Sequence, residues 1–146
     1  IFGIKISSQD EALEYAEQLQ AKGAQNVIVS LGSDGAVLLD ENGYSYKMKA
    51  LNTKNAINTV GAGDSMIAGF LAGHEMYNNY EKSLQMGVAA ATATTNTLFL
   101  ATKEKIEDEN HRFTYKRIHR PKCKSIKQKR RNRTSSRTYG TKWKYK

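Results

Sequence analysis

The run Asn58-Thr59-Val60-Gly61-Ala62-Gly63-Asp64-Ser65 leads directly into Met66, Ile67, Ala68, Phe70, Leu71 and Ala72. A helix that is apolar on most sides belongs inside a fold. The pattern therefore predicts a buried helix that starts on a small-residue turn and is broken at Asn78-Asn79. Small residues let a backbone come close to a ligand. The free N–H groups of a helix N-terminus, with the macrodipole behind them, face an anion. A carboxylate at the end of such a turn is no phosphate ligand, because like charges repel. Its useful chemistry is to take a proton from a hydroxyl that attacks the phosphate. Gly61, Ala62 and Gly63 are thus candidate donors of an anion hole, and Asp64 a candidate base, a set suited to phosphoryl transfer to an alcohol. Taken alone, the same residues also suit a plain Gly-rich turn with Asp64 as a helix cap. Two other Gly-rich readings fail. The dinucleotide fingerprint needs a third Gly where Met66 stands, and the P-loop needs a Gly-Lys-Ser/Thr tripeptide that the chain lacks.

The segments around this turn alternate between helix and strand. Ser8-Gln9-Asp10-Glu11 is a capping box, followed by Ala12, Leu13, Ala16 and Leu19 at helical spacing, with Gly23 as a stop. Val27-Ile28-Val29 reads as a buried strand, Gly32-Ser33-Asp34-Gly35 as a turn, and Ala36–Leu39 as a second strand. Glu41-Asn42-Gly43 turns the chain into an alternating strand, Tyr44–Met48. A further helix is predicted from Tyr80 to about Leu100, and a short one over Thr102–Asp108. This is an α/β pattern.

Ser30-Leu31-Gly32-Ser33-Asp34-Gly35 is a second candidate. A tight Gly turn at the carboxyl end of a strand is where open α/β sheets bind ligands, although a plain hairpin turn fits it as well. The two motifs, about thirty residues apart in the order strand, Gly turn, hairpin, Gly-Ala-Gly-Asp, helix, resemble the nucleotide-binding half of the ribokinase-like, or PfkB, carbohydrate kinases. The family signature Asp-Thr-x-Gly-Ala-Gly-Asp appears here with Asn58 in the leading place. With Gly-Asp-Ser-Met and Ala-Gly-Phe after it, the sequence most resembles the 1-phosphofructokinase branch, with the tagatose-6-phosphate kinases close beside it. The resemblance implies a three-layer α/β/α ribokinase-like fold, incomplete because its N-terminal part is absent. It implies Asp64 as the base that deprotonates a sugar hydroxyl. Gly61, Ala62 and Gly63 become donors to the transferring phosphoryl group, and Ser30, Leu31, Gly32, Ser33, Asp34 and Gly35 become contacts of ATP. Val88 and Ala89 are implied near the adenine. ATP and a small sugar phosphate are the implied partners, a full-length member of the family can pair as a homodimer, and the chain alone is expected to be inactive. Magnesium is implied by the chemistry, with no metal ligand to name.

Composition divides the chain. Residues 1–108 hold 8 Lys and 13 acidic residues, for a charge of −5, whereas residues 109–146 hold 15 Lys and Arg and one acidic residue, for +14. The basicity is confined to a tail in which Phe113, Ile118 and Ile126 are the only Ile, Leu, Val or Phe. Such a segment buries too little apolar area to offset its ordering entropy. The expected division is a kinase part over residues 1–108 and a basic, disordered tail over residues 109–146. Cys123 is the single cysteine, so no internal disulfide forms, and a reducing, cytoplasmic setting is expected. No run of about 20 apolar residues predicts a membrane span. The start, Ile1-Phe2-Gly3-Ile4, has neither Met nor a signal-peptide layout and reads as the middle of something longer. His74, His111 and His119 are scattered, without ligand spacing.

Two readings compete for the tail. Trp143, Tyr139 and Tyr145 among basic residues could stack on bases in a nucleic-acid complex. The preferred reading is a frameshift near residue 108. Back-translation with AT-biased codons and a one-base shift across Asp108 and Glu109 gives an open frame that begins with Met. That frame resembles the start of a fructose-specific phosphotransferase IIA domain. Sequencing the coding DNA across codons 105–115 is expected to show this start codon and open frame, and their absence would leave the nucleic-acid reading in place.

Overall fold

The computed structural model describes residues 5–51, 56–119 and 128–129. Helix α1, Gln9–Gln20, begins on Ser8, whose side-chain oxygen accepts from the Glu11 N–H at 3.1 Å. Glu11 reaches back to accept from the Ser7 N–H at 2.8 Å and the Ser7 hydroxyl at 2.7 Å. Ser8 thus satisfies one donor of the first turn, while the Glu11 carboxylate turns to Ser7, one residue before the cap, rather than to the Ser8 N–H of a full capping box. The Ser7 N–H first, then its hydroxyl, holds the Glu11 carboxyl below its ordinary range.

Strands β1 (Val27–Ser30), β2 (Ala36–Leu39) and β3 (Tyr44–Met48) form an antiparallel sheet in chain order, to which Gln128–Lys129 (β4) adds beside β3. β2 is buried throughout, and its alternation splits the core in two. Val37 and Leu39 pack with Ala12, Leu13 and Ala16 of α1. Ala36 and Leu38 face Met66, Phe70, Leu84 and Val88 on the other side. The sheet is thus the middle layer between α1 and a layer formed by α2 (Ala62–Tyr77), α3 (Tyr80–Thr95) and α4 (Lys103–His119). This is the expected α/β/α layering, carried by a single helix on one face.

The break at Asn78-Asn79 forms as predicted. Asn78 ends α2 at φ 43° and donates to the His74 carbonyl at 2.8 Å. The Asn79 side chain caps α3 by accepting from the Lys82 N–H at 3.0 Å. Helices α2 and α3 lie close because their facing residues are small: a Cβ on Gly69 would stand 2.7 Å from the Ala90 methyl.

Three expectations change. First, α2 is not buried on all sides. Met66, Gly69, Phe70 and Gly73 are covered, but Ile67 is 45% and Leu71 61% exposed. Periodicity tells which faces can be buried, and α3 covers only one of them. Second, α3 stops at Thr95 rather than near Leu100, because the Thr95 carbonyl accepts from Ile57 and Asn58 instead of continuing the helix. Third, α4 runs to His119, past the residue 108 at which order was expected to end. Phe113 is buried in the core, and the Gln85 side-chain amide donates to Asn110 Oδ1 at 2.9 Å. One aromatic anchor and one amide clasp hold a stretch whose average composition argued against packing. The rest of the tail, β4 apart, lies outside the described residues.

The β2–β3 hairpin is organised by Asp40, a fully buried carboxylate. It accepts from the N–H groups of Asn42 and Tyr44, both at 2.9 Å, and from the Tyr46 hydroxyl at 3.2 Å. Burial first, then the Asp40 charge and hydrogen bond, push the Tyr46 hydroxyl from its ordinary 10.0 up to about 12. Tyr80 moves the same way, chiefly through its hydrogen bond to Glu41. A hydroxyl held protonated by the fold contributes stability that is complete below its unfolded value, near pH 10, and is lost as pH rises through about 12. Urea denaturation across this window is expected to show stability falling, and Tyr46→Phe to make the fall shallower. An unchanged slope would remove Tyr46 from this role.

Candidate active site

The chain that enters α2 is strapped to the end of α3. Ile57 and Asn58 donate their N–H groups to the Thr95 carbonyl at 2.7 and 3.2 Å. The Asn58 side chain accepts from the Val60 N–H at 3.0 Å and donates to the Leu98 carbonyl at 3.3 Å. One turn into α2, the Ser65 hydroxyl accepts from Thr94 Oγ1 at 2.9 Å. Thr94, almost fully buried, in turn accepts from the Ala101 N–H at 3.2 Å.

Between these ties lie the four motif residues. Gly61 is the N-cap, in the left-handed region at φ 77°, ψ 0°. The Ala62 N–H is turned to the Thr59 carbonyl at 3.3 Å. Gly63 and Asp64 follow in the first helical turn, where N–H groups have no acceptor within the helix, and both are exposed. Gly63 needs no special backbone angle, and a Cβ there would meet nothing within 4 Å. Gly inside a helix is less stable than Ala by roughly 0.5–1 kcal/mol. Packing among the described residues therefore gives no reason for a glycine at this position.

The second motif forms a turn at the carboxyl end of β1, with Gly32–Asp34 in a 3₁₀ turn. Ser30, Gly32, Ser33 and Asp34 are exposed and Leu31 is half-buried. Gly35 closes it at φ 89°, ψ −130°, donating to Gly32 and accepting from the Leu31 N–H at 2.8 Å. A Cβ on Gly35 would fall 2.0 Å from the Met48 carbonyl oxygen, so only glycine fits. Ala36 pairs with Met48, which puts this turn and the exit of β3 at one end of the sheet. From that end the chain continues through residues 49–60 to the Gly61 turn.

Ala89 stands elsewhere. It is fully buried, as is its neighbour Val88, in the core beside Leu38 and Phe70.

Three residues of the framework were missed. Gln9 sends its side-chain amide to the carbonyls of Asp34, at 2.8 Å, and Met48, at 3.3 Å, and so fastens the β1–β2 turn to the exit of β3. No local signal marks it, since its partners lie far along the chain. Ser65 and Thr94 form the tie described above; a Thr-rich helix end is the only hint of the second. Among the described residues no group of three or more His, Cys, Asp or Glu side chains could hold a metal ion. No described helix is long and apolar enough to cross a membrane.

Comparison with known proteins agrees with this fold. The profile of the pfkB family carbohydrate kinases matches residues 1–102. The chain is 36% identical over 107 residues to the 1-phosphofructokinase of Bacillus subtilis, covering 73% of this chain and 35% of that protein. It is 40% identical over 95 residues to the 1-phosphofructokinase of Borreliella burgdorferi, covering 64% and 30%. The crystal structure of phosphofructokinase-2 from Escherichia coli in complex with potassium superposes with a TM-score of 0.66 at 26% identity, over 75% of this chain and 36% of that one. The chain thus spans about a third of the length of the curated relatives it matches. With the two Gly turns, the layered fold and the profile match in agreement, the chain belongs to the pfkB family of carbohydrate kinases.

Proposed function

We propose that this chain supplies the phosphoryl-transfer half of an ATP-dependent sugar-phosphate kinase that converts fructose 1-phosphate to fructose 1,6-bisphosphate. The reading rests above all on one juxtaposition: an exposed carboxylate, Asp64, directly follows an exposed Gly63 whose Cβ position is open. In this reading the Gly61 and Gly63 N–H groups face the transferring phosphoryl group, with the helix dipole adding to their field, while the Ala62 N–H stays with the Thr59 carbonyl. Asp64 accepts the proton of the attacking sugar hydroxyl. Ser30, Leu31, Gly32, Ser33, Asp34 and Gly35 lie against ATP. The 1-phosphofructokinase relatives support the choice of sugar. Magnesium would accompany the ATP phosphates; the described residues offer no ligand set for it, and no step here runs through it.

Phosphoryl transfer depends on positioning the acceptor, and a third of a kinase offers Asp64 no closed sugar site. The purified 146-residue chain is therefore expected to show no turnover of fructose 1-phosphate. A chimera is the positive test, with residues 1–107 replacing the matching region of the Bacillus subtilis enzyme. It is expected to be active, to prefer fructose 1-phosphate over tagatose 6-phosphate, and to lose about 10²–10⁴-fold in kcat on Asp64→Asn. A chimera whose activity ignores that substitution, or an active isolated chain, would overturn the reading.

A further inference from the structure

We propose that Thr94 is a positioning residue for phosphoryl transfer, its hydroxyl holding the Gly61–Asp64 turn in place through Ser65. Thr92, Thr94, Thr95 and Thr97 crowd the end of α3. A threonine within a helix ordinarily sends its hydroxyl back to a carbonyl of its own helix. Thr92 does so, donating to the Val88 carbonyl at 2.8 Å. Thr95 donates to the Thr92 carbonyl at 2.8 Å, and Thr97 to the Thr94 carbonyl at 3.0 Å. Among these four, Thr94 alone crosses to another helix. Its Oγ1 donates to the Ser65 hydroxyl at 2.9 Å and accepts from the Ala101 N–H at 3.2 Å. A hydroxyl has one proton to give, and Thr94, only 2% exposed, gives it to α2 rather than to its own backbone.

Both partners of Thr94 converge on the turn. The Ser65 N–H closes the first turn of α2 on the Gly61 carbonyl at 2.9 Å, so Gly61 and Ser65 are the two ends of the loop that carries Gly63 and Asp64. Ala101 continues the segment that flanks Gly61. There the Asn58 side chain donates to the Leu98 carbonyl at 3.3 Å, and a Cβ on Gly61 would stand 2.7 Å from Leu100 Cδ2. Thr94 joins both to α3, which is anchored in the core through Leu84, Val88 and Ala89. The Thr95 carbonyl holds the chain before the turn, at Ile57 and Asn58, and Thr94 holds it after the turn, at Ser65. Two fixed points set the orientation of what lies between them. A valine at position 94 would keep the shape of threonine but leave the Ser65 hydroxyl and the Ala101 N–H without this partner. Donors fixed in advance favour the transition state over the bound ground state, so loss of the tie reaches kcat more than KM. Thr94 has this role only if the turn transfers a phosphoryl group as proposed above.

The test uses the chimera described above, with fructose 1-phosphate as acceptor. Thr94→Val is expected to lower kcat about tenfold while the KM for ATP moves by less than about twofold. Thr94→Ser keeps the hydroxyl and should recover most of the loss. Thr92→Val removes a similarly buried hydroxyl that bonds only its own helix, so kcat should stay as it was. Ser65→Ala, at a half-buried position, should lower kcat in the same direction, and the double variant should fall no further than Thr94→Val alone. Equal kcat for Thr94→Val and Thr92→Val would overturn the proposal, as would a Thr94→Ser variant no better than Thr94→Val. Loss of activity on Asp64→Asn without loss on Thr94→Val would count against Thr94 alone. Indifference to Asp64→Asn would remove the catalytic reading and the role of Thr94 with it. If Thr94→Val does not fold in the chimera, hydrogen exchange in the 146-residue chain decides. The Ser65 and Ala101 amides should lose protection in Thr94→Val and keep it in Thr92→Val, and equal protection in both would overturn the proposal.

Discussion

The Thr95 carbonyl accepts two backbone N–H groups, from Ile57 at 2.7 Å and Asn58 at 3.2 Å, and thereby ends α3 and fixes the entry to α2. Without that strap the Gly61 turn would hang from a loop. With it, the turn is referenced to α3, which buries Leu84, Val88, Ala89, Ala90 and Ala93. The Thr94–Ser65 hydrogen bond repeats the connection one turn further on. A site that must offer N–H groups to a transferring phosphoryl group needs its donors fixed before the ligand arrives, because preorganisation rather than contact number sets the electrostatic gain. The core therefore serves the site through the end of α3, and that link depends on hydrogen bonds more than on apolar contact.

The turn between β1 and β2 is held in a different way. Gly35 sits in a conformation that only glycine takes up readily, with its missing Cβ directed at the backbone of β3. Gln9 spans the two strands from the start of α1. Each layer thus contributes one fastening: α1 through Gln9, the sheet through the Ala36–Met48 pairing, and the helical layer through Thr94 and Thr95. The bare side of α2 stands in contrast. It carries Asp64, with Ile67 and Leu71 exposed beside it.

Much of this could be read from the residues. The Ser8 cap, the β-branched run Val27–Val29, the Asn78-Asn79 break and the Gly-Ala-Gly-Asp turn all act over a few neighbours and formed, although Glu11 of the capping box turned to Ser7 instead of Ser8. What escaped was set by distant partners. Nothing near Gln9 announces carbonyls 25 and 39 residues away. The early end of α3 needs Ile57 and Asn58 to claim the Thr95 carbonyl, and a helical pattern carries no trace of that. Phe113 looked like an isolated apolar residue in a basic stretch until α3 gave it a surface.

Gly63 separates a functional turn from a structural one most directly. In this chain its Cβ position is open and its backbone ordinary, so Gly63→Ala removes a helix-weakening residue without a clash. If the turn exists to bring backbone N–H groups against phosphate, the substitution should raise the urea midpoint, by roughly 0.5–1 kcal/mol of stability. In calorimetry the same substitution should weaken ATP binding to the chain. These opposite signs are what the account predicts. ATP affinity that is unchanged by the added methyl, while stability rises, would contradict it and leave Gly61–Asp64 as a helix start and nothing more.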